Sequence, residues 1–302
     1  MIKLYKKDHK ENMTWAWICN NSDQIEQQNK VLQKTDLQKF PMLMEFKHEF
    51  DLDAISKSIS EAKELYGDYG WMSSEDPNGD EKPYSGFGLT WNPNHIENIP
   101  EHQSVLGSPD RIKFSYDQYS LNDQTTKSNP NIKLKDDYSD TYGFNVRTRA
   151  SKNGALGDLL NNNVKRTLVK SRVSTMSGNR IMRQDWPYHR DGSFFIGTRV
   201  NIPVDTAKPY VFDLKTLPEP VHLKKGYAYA WDTTVLHRVV SMRPCKTDRT
   251  HIVINVSPWW DWNEQEQCWQ TNEFYGEMHP LEMILDGHIL EGLECNYGNT
   301  VL

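Results

Sequence analysis

Three residues in the second half of the chain have the types and spacing to hold a metal ion: His189, Asp191 and His237. On an extended segment residues i and i+2 point to the same side, so the His189 imidazole and the Asp191 carboxylate can converge on one ion. The pair is weak on its own, because with 10 His and 23 Asp in the chain chance alone supplies a His-x-Asp. His237 changes that. It arrives on a separate β-type stretch, after the run Gly226-Tyr-Ala-Tyr-Ala-Trp231, and supplies the third ligand that a facial triad requires. Two imidazoles and one carboxylate cover one face of an octahedral Fe(II), leaving the other for a bidentate 2-oxo acid and then O2. Taken singly, each histidine keeps the alternative of a structural residue at a strand end.

Arg249 opens the run Arg249-Thr-His-Ile-Val-Ile-Asn-Val256. A guanidinium at the head of so apolar a strand is costly to bury unless an anion meets it. Its planar fork suits the distal carboxylate of 2-oxoglutarate; the competing reading pairs it with Asp248 or Asp213. Arg199 and Asn201 share a face by alternation and can reach the C1 carboxylate of that co-substrate or the substrate, with strand-edge solvation as the alternative. His251 shares the face of Arg249, where a core histidine is the other reading.

These residues need a β framework to position them. Short runs at Lys170–Met176, Phe194–Val204, Tyr210–Leu214, Gly226–Trp231, Val235–Ser241 and Arg249–Val256, separated by turn formers, have the pattern of a sandwich or barrel. Before them, Asp51 to Tyr66 reads as a helix capped by Asp51 or Asp53, with Ile55, Ile59, Ala62 and Leu65 on one face. A second helix is expected from Ala155 to Leu168, and helical spacing returns around Pro280 to Leu290. Residues 1–45 are polar and Gln/Asn-rich, expected as a loose lead-in. The Gly67–Asn94 stretch reads as loops around a short strand carrying Phe87, Leu89 and Trp91. The expected organisation is a single unit, 1–302. Residues 1–150 form a helical and loop region packed on the core, 168–260 the β core, and 261–302 a C-terminal extension.

Composition narrows the class. The formal net charge of -6 gives no electrostatic case for nucleic-acid or anionic-membrane partners. No apolar run reaches the roughly 18 residues of a membrane span, and no apolar run follows the basic start as in a signal peptide. Four scattered cysteines without a CxxC pair argue against a disulfide scaffold or a zinc knuckle. A soluble protein of the cytoplasm is expected, the host cytoplasm if the chain is phage-encoded; oligomeric state is not legible.

In order, SRVSTM, HRD, RVNIPV, LKKGYAYAWD, LHRVV and DRTHIVINV span Ser171 to Trp260. This stretch resembles the aspartyl/asparaginyl β-hydroxylase family of Fe(II)- and 2-oxoglutarate-dependent oxygenases, in its small bacterial and phage-type members. The resemblance implies a mainly β fold, a double-stranded β-helix (jelly-roll or cupin-like) core with flanking helices and long terminal extensions. It implies a metal held by His189, Asp191 and His237, and a co-substrate held by Arg249, with Arg199, Asn201 and Ser174 as further contacts. The family's Arg-x-His pair becomes Arg199 and Asn201 here, so an amide replaces an imidazole. The implied reaction is hydroxylation of an amino acid, free or in a peptide, with O2 consumed and succinate and CO2 released. The alternatives are a cupin-like metalloenzyme that does not use 2-oxoglutarate and a non-catalytic β-barrel binding protein.

Other features have plainer readings. The Trp259-Trp260-Asp261-Trp262 cluster with Trp269 reads as core or lid packing before it reads as a substrate wall. Tyr84, Phe87 and Trp91 read equally as loop anchors or a lid. His279 and His288 are expected at the surface, and Asp76-Pro-Asn-Gly-Asp80 as a turn rather than a calcium loop.

Overall fold

The computed structural model describes residues 1–5, 22–68, 84–93, 101, 141–178, 188–243 and 245–295. In chain order, β1 spans Lys3–Tyr5, α1 Ser22–Lys34, β2 Leu43–His48, α2 Leu52–Tyr66, β3 Tyr84–Gly88, β4 Thr90–Trp91, β5 Val146–Arg147 and α3 Gly154–Asn162. Then come β6 Arg172–Met176, β7 Thr198–Asp205, β8 Tyr210–Leu214, β9 Tyr227–Trp231, β10 His237–Ser241 and β11 Arg249–Val256. The last elements are β12 Trp260–Asn263, β13 Cys268–Thr271, α4 Pro280–Leu285 and β14 Leu293–Cys295. The fold is mainly β with few helices.

A seven-stranded antiparallel sheet runs in the order β14-β2-β9-β7-β11-β6-β3. A smaller layer faces it, the β8–β10 pair, widened by isolated bridges at His189↔His237 on one side and Phe212↔Val221 on the other. Between Arg172 and Val256 the chain therefore visits the layers in the order large, small, large, small, small, large, small, large.

The period of two along each strand gives the large sheet two unlike faces. On one, Val200, Ile202 and Val204 of β7 and Ile252, Ile254 and Val256 of β11 join a core with α2, α3 and α4. On the other, Tyr229, Trp231 and Leu43 meet Phe212, Leu214 and Leu223 of the small layer, and Phe212 lies 4.3 Å from Trp231 between ring centroids. The six β runs read from sequence all appear, three of them two to four residues shorter at their starts. Trp259, Trp260 and Trp269 are fully buried in the main core, as packing rather than as a substrate wall, and Phe87 is buried with them. The Asp76–Asp80 turn lies outside the described residues.

Four expectations need correction. The lead-in is not uniformly loose: Ser22–Lys34 is helical, Lys3–Tyr5 pairs with β13, and β2 lies inside the large sheet between β9 and β14. Helix α3 ends at Asn162 instead of Leu168, because Val164 and Leu168 turn extended to bridge Leu290 and Val256. Helix α4 stops at Leu285, its last turn closed by Asp286. His279 is not at the surface. It is 2% exposed, caps α4 by accepting from the Leu281 amide at 3.1 Å, and forms a capping box with Glu282. Phe40, Phe194 and Phe195 surround its ring. His288, by contrast, is half-buried against Phe274.

Burial pushes the His279 imidazole down from 6.5 to about 4, against the opposing pull of Glu282 and Asp232. The unfolded chain takes up this proton near 6.5 while the folded one resists until about 4. Stability is thus complete above that window and falls by about 3 kcal/mol as the pH drops through it. His279→Asn keeps an acceptor at the helix start and removes the titration. Urea denaturation at stepped pH should show the variant's acid-side decline shallower by about that amount; parallel curves would mean that the imidazole is not held neutral.

Candidate metal centre

His189 and Asp191 reach the site on the segment Tyr188–Asp191, which runs beside β10. His189 and His237 exchange both backbone hydrogen bonds, each 3.0 Å, so the two imidazoles leave the same side of a bridged pair with ring centroids 4.5 Å apart. The Asp191 amide donates to the Thr233 carbonyl at 2.8 Å, and the Thr233 hydroxyl returns a bond to the Gly192 carbonyl at 2.7 Å. Thr233 therefore pins the backbone of the carboxylate ligand from both sides. Nothing in the local pattern of the chain marks it for this role.

One ligand atom from each of His189, Asp191 and His237 can be chosen so that all lie within 4.8 Å of one another. An ion with bonds of about 2.1 Å sets neighbouring ligand atoms about 3 Å apart, a small inward adjustment. His237 Nδ1 sits 2.8 Å from the Val235 carbonyl. A carbonyl only accepts, so Nδ1 carries a proton there, and Nε2 is the nitrogen that would face a metal. That Nε2 lies 3.4 Å from Asp191 Oδ2.

Asp191 could not serve if burial neutralised it. Burial pushes its carboxyl up, but the Arg199 guanidinium and the two imidazoles outweigh that and hold it well below the usual carboxylate range. Arg199 Nη1 pairs directly with Asp191 Oδ2. The structure thus places Arg199 on the Asp191 carboxylate itself.

The remaining predicted residues line the same face of the large sheet. Ser174 sits opposite His251 in the β6–β11 register, and Asn201 opposite Val253 in the β7–β11 register. Arg249, only 7% exposed, donates through Nη2 to His251 Nδ1 at 3.0 Å. A guanidinium can only donate, so Nδ1 is the acceptor and the His251 proton lies on Nε2. Burial first, then the charge of Arg249, holds this imidazole well below its ordinary value, so it is neutral. Asp213 and Asp248 each hold further contacts. Asp213 takes Tyr188 and Arg238, and Asp248 accepts from the Gly178 amide at 2.8 Å.

Three buried donors on this face have no protein acceptor among the described residues: His251 Nε2, Asn201 Nδ2 and Trp231 Nε1. A buried N–H left unsatisfied costs about 1–3 kcal/mol, so a set of them beside a buried guanidinium is chemistry suited to an acceptor-rich anion. Among the described residues no other group of three or more His, Cys, Asp or Glu side chains could hold a metal ion.

No protein-family model and no curated protein matches the chain. Solved structures similar to it include the non-heme alpha ketoglutarate dependent epimerase SnoN from nogalamycin biosynthesis, at 9% identity and TM-score 0.35, covering 78% of this chain and 84% of that one. The non-heme alpha ketoglutarate dependent carbocyclase SnoK from the same biosynthesis is similar at 9% identity and TM-score 0.35, covering 76% and 86%. Among the described residues no helix is long and apolar enough to cross a membrane.

Manganese(II) titrated into the metal-free protein should bind as one equivalent. Asp191→Ala should weaken it by more than about a hundredfold, beyond the 10–100-fold typical of losing an outer partner. Isothermal calorimetry reads both, and equal affinity in the two proteins would put the ion elsewhere.

Proposed function

We propose that this protein is an Fe(II)- and 2-oxoglutarate-dependent oxygenase built on a double-stranded β-helix, and that it hydroxylates an amino acid, free or within a peptide. The observation that carries the reading is one shared interior. The His189, Asp191 and His237 triad opens on a sheet face that also presents Arg249 and the orphaned donors of His251 and Asn201. The alternation of strands between the two layers supports the fold assignment. The ordered motifs from Ser171 to Trp260 support the amino-acid substrate.

The donor set fits the group it would hold. Two imidazoles and an ionised carboxylate suit Fe(II) and leave positions open. When bound, the iron supplies the activation of O2 that couples decarboxylation of 2-oxoglutarate, to succinate and CO2, with oxygen insertion into a C–H bond. The chain's own residues bind and orient. Arg249 meets the distal carboxylate of the co-substrate with a bidentate fork. Its guanidinium is held in register by His251 Nδ1. Asn201 and Ser174 offer donors along the same wall. Arg199 keeps Asp191 ionised, so the ligand set carries negative charge without taking up a proton. Phe212 and Trp231, packed against the His237 ring at 5.8 and 5.5 Å, exclude water from the ligand's inner side.

The test is an anaerobic titration of the Fe(II)-loaded protein with 2-oxoglutarate, followed by optical absorption. A metal-to-ligand charge-transfer band is expected in the wild type. In Arg249→Ala the concentration needed to raise it should increase by about a hundredfold, as for loss of a buried charge partner. Succinate release during aerobic turnover, strongest with the right amino-acid substrate, completes the assignment. Bound iron with no band would favour a cupin-like metalloenzyme that uses another reaction.

A further inference from the structure

Among the described residues the segment that delivers two of the three proposed ligands makes one bridged pair with the small layer, His189↔His237, and Thr233 holds Asp191 and Gly192 beyond it. One bridge is a short ladder for a site that tolerates little movement. The opposite face of the same layer carries a further attachment. The Tyr188 hydroxyl donates to Asp213 Oδ2 at 2.6 Å. Arg238 donates to that same oxygen through Nε at 2.9 Å and Nη2 at 2.8 Å. The Arg238 guanidinium also lies 4.2 Å from the Tyr188 ring centroid, and Lys215 lies 4.9 Å from it.

The placement follows from alternation. Tyr188 precedes His189, and Arg238 follows His237, so when the two imidazoles face inward the tyrosine and arginine face outward. Arg238 stands opposite Asp213 in the β8–β10 register, one position from His237 opposite Leu214. A single carboxylate on a third stretch of chain therefore ties together the immediate neighbours of both histidines.

We propose that Tyr188, clamped to Arg238 through the Asp213 carboxylate on the outer face, is a positioning residue that sets the separation of the His189 and His237 imidazoles and thereby tightens metal binding. The inference rests on the reading of His189, Asp191 and His237 as metal ligands. Tyr188 touches no ligand atom; it acts through the backbone of the residue beside it.

Tyr188→Phe keeps the ring under Arg238 and removes only the hydroxyl bond. The full chain, made metal-free, is titrated with cobalt(II), with the dissociation constant, the cobalt absorption spectrum and the melting temperature of the metal-free protein all recorded. The expected result is a dissociation constant raised about 10–100-fold, as for other outer partners of metal ligands, and an altered spectrum, with little change in metal-free melting. Arg238→Lys, which keeps the charge but loses the two-pronged contact, should shift the constant in the same direction and serves if Tyr188→Phe does not fold. A constant within twofold of wild type in a folded variant, whatever its melting temperature, overturns the clamp and leaves the metal site standing. A wild-type protein that takes up no cobalt, or takes it up equally well as Asp191→Ala, overturns the metal reading and the clamp with it.

Discussion

A carboxylate stays ionised inside a protein only when positive charge or hydrogen-bond donors offset its lost hydration, and the arrangement of this interior depends on how Asp191 meets that condition. Its counter-charge is Arg199, on β7 of the opposite layer, so the ion pair spans the two layers at the ligand set. Arg199 can reach it only while β7 keeps its register against β11. That register also sets Asn201 beside Val253, and through β11 it places His251 and Arg249 on the same wall. A slip of β7 by one residue would turn Arg199 and Asn201 toward the helices and Val200, Ile202 and Val204 toward His189, Asp191 and His237.

The large sheet is therefore a partition between two environments of opposite chemistry. Its helix-side face is apolar and filled by α2, α3 and α4. Its other face holds a guanidinium, a neutral imidazole and an amide among aromatic rings. The neutral state of His251 matters as much as its position. With its Nδ1 used as an acceptor for Arg249, it adds no second positive charge next to the guanidinium and offers a directed N–H instead. Both features make the wall present directed donors rather than a bare patch of charge.

Much of this was legible from the chain alone, for a physical reason. A period of two is readable wherever one face of a strand is buried, and His189/Asp191, Arg199/Asn201 and Arg249/His251 all show it. Asp51 as a helix cap was legible too, because capping chemistry is local. What escaped were interactions whose partners are distant in sequence. Thr233 pinning Asp191, and Asp213 gathering Tyr188 and Arg238, leave no local pattern. Helix α3 was overestimated because propensity could not anticipate that Val164 and Leu168 find better partners across the chain. His279 was misplaced although Pro280 and Glu282 mark a helix start, since a histidine cap depends on the aromatic enclosure that keeps it neutral.

The bridge between His189 and His237 also bears on the order of folding. Each histidine must wait for the strands between them to be laid down, since the stretch that separates them includes β7, β8 and β9. An unfolded chain has no reason to hold these side chains together, because closing a loop of that length carries its entropic penalty before any ligand is in place. An ion could not template this fold from the start, as it does in a small zinc module. It would arrive after the sheets have formed and act as a latch on a finished structure, stabilising it by mass action in proportion to the free ion.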